Sequence, residues 1–123
     1  MFGTFSKNIA GSVSAELRLS KEREKDGLIS HSFRHLENAH VLGQESTKWH
    51  VKVHFLMLLW AIRQRNTKEC LGQVLRIIGA FSKTAIGLIP HGNTGGSNIS
   101  PFKTLPIKAE HQMLINNAKR TET

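Results

Sequence analysis

The 123-residue chain contains one cysteine, Cys70, so it has no intramolecular disulfide and cannot build a Cys-rich zinc ribbon. A lone thiol fits a reducing compartment. Long apolar runs are also missing. The longest, Val53 to Ile62, is interrupted by His54 and is about half of the roughly 20 residues a membrane span needs, which predicts a core helix. The start, MFGTFSKNIAGSVSAEL, lacks a basic end followed by an apolar block of roughly 7 to 15 residues, so no secretory signal is read and a cytoplasmic location is expected. Proline is rare, and all three prolines fall between Pro90 and Pro106. Acidic residues are few, nine against seventeen Lys and Arg, giving a formal charge of +8. That excess would suit an anionic partner, but Lys21, Arg23 and Lys25 alternate with Glu22, Glu24 and Asp26 as on a solvated helix face. Arg63, Arg65, Lys68 and Arg76 come closest to a patch. With no nucleic-acid-reading motif present, a nucleic-acid partner is not expected.

What is present is helical periodicity. Trp49 to Ile62 is the most apolar stretch: Trp49, Val53, Leu56 and Trp60 form one stripe, with Val51, Phe55, Leu58 and Ile62 covering much of the remaining circumference. Such a helix belongs at the centre of a fold, and both tryptophans read as core. Its last sector carries His50, His54, Met57 and Ala61, so two imidazoles one turn apart sit where water has little access.

The length suits one domain with one core, 1–123. Residues 1–13 are small and polar and are expected to fray. A short, mostly exposed first helix is predicted from Ser14 to about Asp26, with Gly27 at its C′ position. The second runs from about Leu28 to Leu42, with Ile29, Phe33, Leu36 and His40 on one face. Gly43 closes it, and His31 and His35 fall on the surface side. The link Gln44 to Lys48 is short, with Ser46 or Thr47 capping a third helix that continues to about Arg65. Asn66 and Glu69 resemble a capping box for a fourth helix, whose Leu71, Val74, Leu75 and Ile78 form a buried-type stripe extended by Phe81 and Ala85. Gly87 and Pro90 end it. The helical core is thus 14–89. The segment 90–123 is an irregular Gly/Asn/Pro-rich tail in which a last helix after Pro106 returns Met113, Leu114 and Ile115 to the bundle.

The predicted fold is all-α, four main helices arranged as two antiparallel hairpins, with the tail strapped across them. Matching Leu17 with Leu56 and Leu36 with Leu75 gives a period of 39, longer than the roughly 34 of tetratricopeptide repeats, so the likeness to those repeats is one of rhythm.

The phrases FRHLENAHVLGQ (33–44), HVKVHFLML (50–58), LGQVLRI (71–77) and GNTGGSNISPFKTLPI (92–107), in that order, resemble the bacterial domain-of-unknown-function family DUF3703. The first 27 residues match it only loosely. The resemblance implies a small helical protein and brings no established activity, substrate or cofactor.

Function therefore has to be read from the residues. If the turn between the second and third helices centres near Ser46, a rise of about 1.5 Å per residue places His40 level with the gap between His50 and His54. Glu37, one turn before His40, completes Glu-x-x-His facing His-x-x-x-His. These are ligand types for zinc, iron, copper or nickel. One Glu-x-x-His motif is half of what a dinuclear ferritin-like site uses, and Glu16 is the sole obvious extra carboxylate, so a mononuclear site is expected. Val51 stands where metalloproteases carry Glu, which argues against hydrolysis. The opposing reading is a hydrogen-bonded packing cluster, with Glu37 and His40 as a satisfied pair and burial lowering the histidine pKa values. Two further classes stay open: a tetratricopeptide-like module holding a protein partner, and a small enzyme using the same histidines inside an enclosed pocket. The loop Gly92 to Ser97 lacks the ending of a phosphate loop and reads as structural, and Cys70 reads as a passive thiol.

Overall fold

The computed structural model describes the backbone of residues 3–86 and 104–120 and the side chains of 4–79 and 104–120. The described residues form five helices and no strand: α1 (Gly3–Lys25), α2 (Ile29–Gly43), α3 (Thr47–Arg63), α4 (Thr67–Ile86) and α5 (Ala109–Arg120). α2 packs against α1 and α3, α5 lies on α1 and α2, and α4 touches α3 alone among the described elements. The stops expected at Gly87 and Pro90, the side chains of Phe81 and Ala85, and the loop Gly92 to Ser97 lie outside the described residues.

The first correction concerns the N-terminal residues. Their described part is helical: α1 begins at Gly3, and Phe5, Ile9 and Val13 are core residues, the last two at most 1% exposed. Their four-residue spacing is that of a buried helical stripe, hidden in the sequence by the small polar residues between them. Polar contacts fix the same end. Trp49 Nε1 donates to the Ser6 carbonyl at 2.9 Å, the Ser6 and Ser46 hydroxyls lie 2.5 Å apart, and Asn8 Nδ2 donates to the Ala118 carbonyl at 2.9 Å.

Two helices end in the same way. At the end of α1, the Leu28 N–H bonds the Arg23 carbonyl and the Gly27 N–H bonds that of Glu24, with Gly27 at φ 79°, the left-handed C′ position its sequence suggests. At the end of α3, the Asn66 and Arg65 N–H groups bond Ala61 and Ile62. Arg65 there adopts φ 56°, which stops the helix at Arg63, two residues before the expected end. Ser46 is the N-cap of α3, its hydroxyl accepting from Trp49 N. Only half of the Asn66–Glu69 capping box forms, because Asn66 Oδ1 accepts from Glu69 N while the Glu69 carboxylate is engaged by Gln73.

The second correction is the orientation of α4. Leu71, Val74, Leu75 and Ile78, the expected buried stripe, are 69, 45, 70 and 65% exposed. The opposite, polar side is buried, with Gln73 at 0% and Glu69 at 7%. In α5, Ile115 faces inward as expected, together with His111 and Ala118, whereas Met113 and Leu114 are exposed. No helix among the described residues is long and apolar enough to cross a membrane.

Candidate metal centre

His40 on α2 and His50 and His54 on α3 meet in the interior, at 2, 5 and 3% exposure. The i, i+4 spacing of His50 and His54 stacks them on one face of α3, and the contact between α2 and α3 brings His40 opposite. Their ring centroids lie 4.6 to 4.9 Å apart. All three rings turn the same atom inward: His54 Nε2 is 3.0 Å from His40 Nε2 and 3.2 Å from His50 Nε2.

The tautomer of His54 follows from its other nitrogen. Nδ1 stands 2.6 Å from Gln73 Oε1, and Gln73 Nε2 donates to Glu69 Oε2 at 2.5 Å. With the Gln73 amide group committed to a carboxylate, its carbonyl is the atom offered to His54, so Nδ1 carries the hydrogen and Nε2 presents its lone pair to the other two rings. This explains the orientation of α4. A buried imidazole N–H needs an acceptor, and the polar side of α4 supplies one where leucine would leave it unpaired. Sequence periodicity missed Gln73 and Glu69; the one available signal was their i, i+4 spacing on the side of α4 away from its apolar stripe.

Glu37 does not join the three histidines. Its carboxylate lies 3.6 Å from Arg34 Nε and lines a separate cavity of about 220 Å³ beside Asn38 and His111. Burial pushes its pKa above the usual carboxylate range, with the Arg34 charge lowering it and the Glu69 charge raising it. A folded-state pKa above the unfolded one means that ionised Glu37 opposes folding at neutral pH. The penalty fades as pH falls through the folded pKa toward the unfolded value. Glu37→Gln is therefore expected to raise the denaturant midpoint at pH 7 and to raise it less near pH 4.5, as chemical denaturation at the two pH values would show. Of the remaining candidates, Glu16 accepts from Asn38 Nδ2 and lies 2.8 Å from His35 Nδ1, well occupied at the surface of α1 and α2. His31 is exposed, as expected, and Cys70 is a half-buried free thiol. Trp49 and Trp60 are core; Trp60 packs on Phe33 at 4.5 Å and donates to Ser32 Oγ.

Three histidine nitrogens lie within 4.8 Å of one another, a grouping able to hold a metal ion. No curated protein and no solved structure matches the chain. A family model does match, over residues 7–115, and so takes in most of α1, which the sequence phrases had tied to it only loosely. With the match spanning nearly the whole chain, the protein belongs to the family described as "Protein of unknown function (DUF3703)".

Proposed function

We propose that this protein binds one divalent transition metal ion through Nε2 of His40, His50 and His54. The observation that carries the reading is the shared inward direction of the three Nε2 atoms, one of them fixed as a lone-pair donor by Gln73. Without a metal, a single lone pair on His54 faces two neighbouring ring nitrogens. With a metal, three neutral imidazoles each direct a lone pair at the ion. Two nitrogens bound to zinc at about 2.05 Å and tetrahedral angles stand roughly 3.3 Å apart, close to the separations here. Nitrogen ligands of this kind suit zinc, iron, copper or nickel. Glu37 is left out of the ligand set because its carboxylate is turned toward Arg34. Three protein ligands leave a fourth position for water or another donor.

The Glu69–Gln73–His54 chain supports the same reading, since metal-bound histidines are commonly oriented by a hydrogen bond at the opposite ring nitrogen. Protein purified without a histidine tag should contain, or take up on titration, close to one equivalent of zinc, cobalt, nickel or copper. Elemental analysis and equilibrium dialysis read this directly. A preparation that is metal-free and ignores all four added ions would end the proposal.

A second reading has its own observation. The exposed row Leu71, Val74, Leu75 and Ile78 on α4 favours an interaction module in which paired helices, tetratricopeptide-like, present an apolar face to a protein partner. The two readings use opposite faces of α4 and are compatible.

A further inference from the structure

A second feature lies away from the histidines. α1 and α3 both pack on α2, while their own backbones approach one another at only a few positions. The gap between them is a trough of about 550 Å³, within the size range of small-molecule sites. Leu36 of α2 lines it together with Leu17 of α1 and Leu56 and Leu59 of α3. Leu36 is 4% exposed, so the trough reaches down to the core.

Its rim is cationic. Five charged side chains beyond the leucines line it: Arg18, Lys21, Glu24, Lys52 and Arg63. Two of these neutralise each other. Arg63 holds Glu24 through Nε and Nη2 at 2.7 and 2.8 Å, and Gln64 Nε2 donates to the same carboxylate at 3.2 Å. The Arg63 hydrogen bond keeps the Glu24 carboxyl below its usual range, so the clamp stays charged, paired and closed across α1 and α3. Arg18, Lys21 and Lys52 remain, and none of them has a carboxylate partner among the described residues. Lys52 additionally lies over the Trp49 ring at 5.3 Å.

We propose that this trough binds a monomeric anionic amphiphile, an aliphatic chain along the four leucines with an acidic head group at Arg18, Lys21 and Lys52. Each half of the chemistry excludes a rival. Phosphate alone would leave the leucines wet, a neutral chain would leave three cations without a counter-charge, and a nucleic-acid backbone would need a longer basic track than three side chains.

The test is calorimetric titration of the metal-free full chain with sodium dodecanoate below its micelle concentration. Saturable one-to-one binding is expected, with shifts of the Leu17, Leu36, Leu56 and Leu59 methyl resonances. Dodecyl maltoside below its micelle concentration and inorganic phosphate should each bind at least about tenfold more weakly, as should dodecanoate to the Arg18→Glu/Lys21→Glu variant, since losing a charge-assisted contact costs about that factor. Both substituted residues are exposed, so an unchanged melting temperature will separate lost binding from lost fold. Leu59→Gln, in the wall, gives an independent loss of affinity. His54→Ala should bind dodecanoate as the parent does, which keeps this result separate from the metal proposal. Absence of saturable binding, equal affinity for the neutral chain, or indifference to charge reversal would each overturn the assignment. So would capture by anionic phosphatidylglycerol vesicles or by an acidic amphipathic peptide in the absence of dodecanoate binding.

Discussion

His54→Ala is expected to abolish stoichiometric metal uptake, and Gln73→Leu to leave uptake intact but weaken it by roughly 10- to 100-fold. The first removes the imidazole that stands within 3.0 and 3.2 Å of both others. The second leaves all three rings in place and removes the acceptor that holds Nδ1 protonated, together with the donor that Gln73 offers Glu69. A mere packing role for the cluster predicts a different pattern, in which both variants lose stability and neither changes metal content. Gln73→Glu paired with Glu69→Gln, which keeps an oxygen acceptor at Nδ1 and a donor facing it from position 69, should recover much of the affinity lost in Gln73→Leu. Thermal melts give a parallel readout. An ion present at a thousand times its Kd stabilises the folded chain by about 4 kcal/mol, a rise in Tm on the order of 15 °C. That rise should be full in the parent, reduced in Gln73→Leu and missing in His54→Ala.

Of the glycines whose surroundings are described, Gly43 is where an added methyl group is expected to cost the most stability. A Cβ there would lie 2.7 Å from Trp49 Cβ and 3.4 Å from Val13 Cγ2, where α1, α2 and α3 meet. Trp49 Cβ is attached directly to the backbone and cannot swing aside, so the helices themselves must separate. Gly43→Ala should cost about 2 kcal/mol, the overpacking penalty less a small gain in helix propensity. Gly11 is the control: it lies within α1 with nothing inside 4 Å of the added carbon, so Gly11→Ala should stabilise by about 0.5 to 1 kcal/mol. Urea denaturation of both variants would check the opposite signs.

These two sites also show what could be read from the residues alone. The histidine meeting was legible because it depends on spacing: His50 and His54 four positions apart, and a short link placing His40 across from them. Local chemistry likewise announced the Ser46 cap and the Gly27 stop. Four features were not legible for physical reasons. Arg65 takes a conformation usually left to glycine, so no residue type marked the end of α3. Phe5, Ile9 and Val13 are separated by small polar residues, and the stripe showed only against the core it enters. α4 broke the rule that the apolar side faces inward, because its neighbour offers an imidazole N–H in place of a greasy surface. Glu37 had the right residue type and spacing, yet Arg34, one turn earlier, was the nearer attraction.

The reversal of α4 bears on how the molecule comes apart. α4 meets α3 in part through a polar relay: Gln73, with no exposure, accepts from His54 and donates in turn to Glu69 of its own helix, bonds that water can replace when the two helices part. α4 is thus a latch over His54: lifting it would strip Nδ1 of its acceptor and open that imidazole to water. An ion held there would pull on His54, and through it on Gln73, fastening the latch from within.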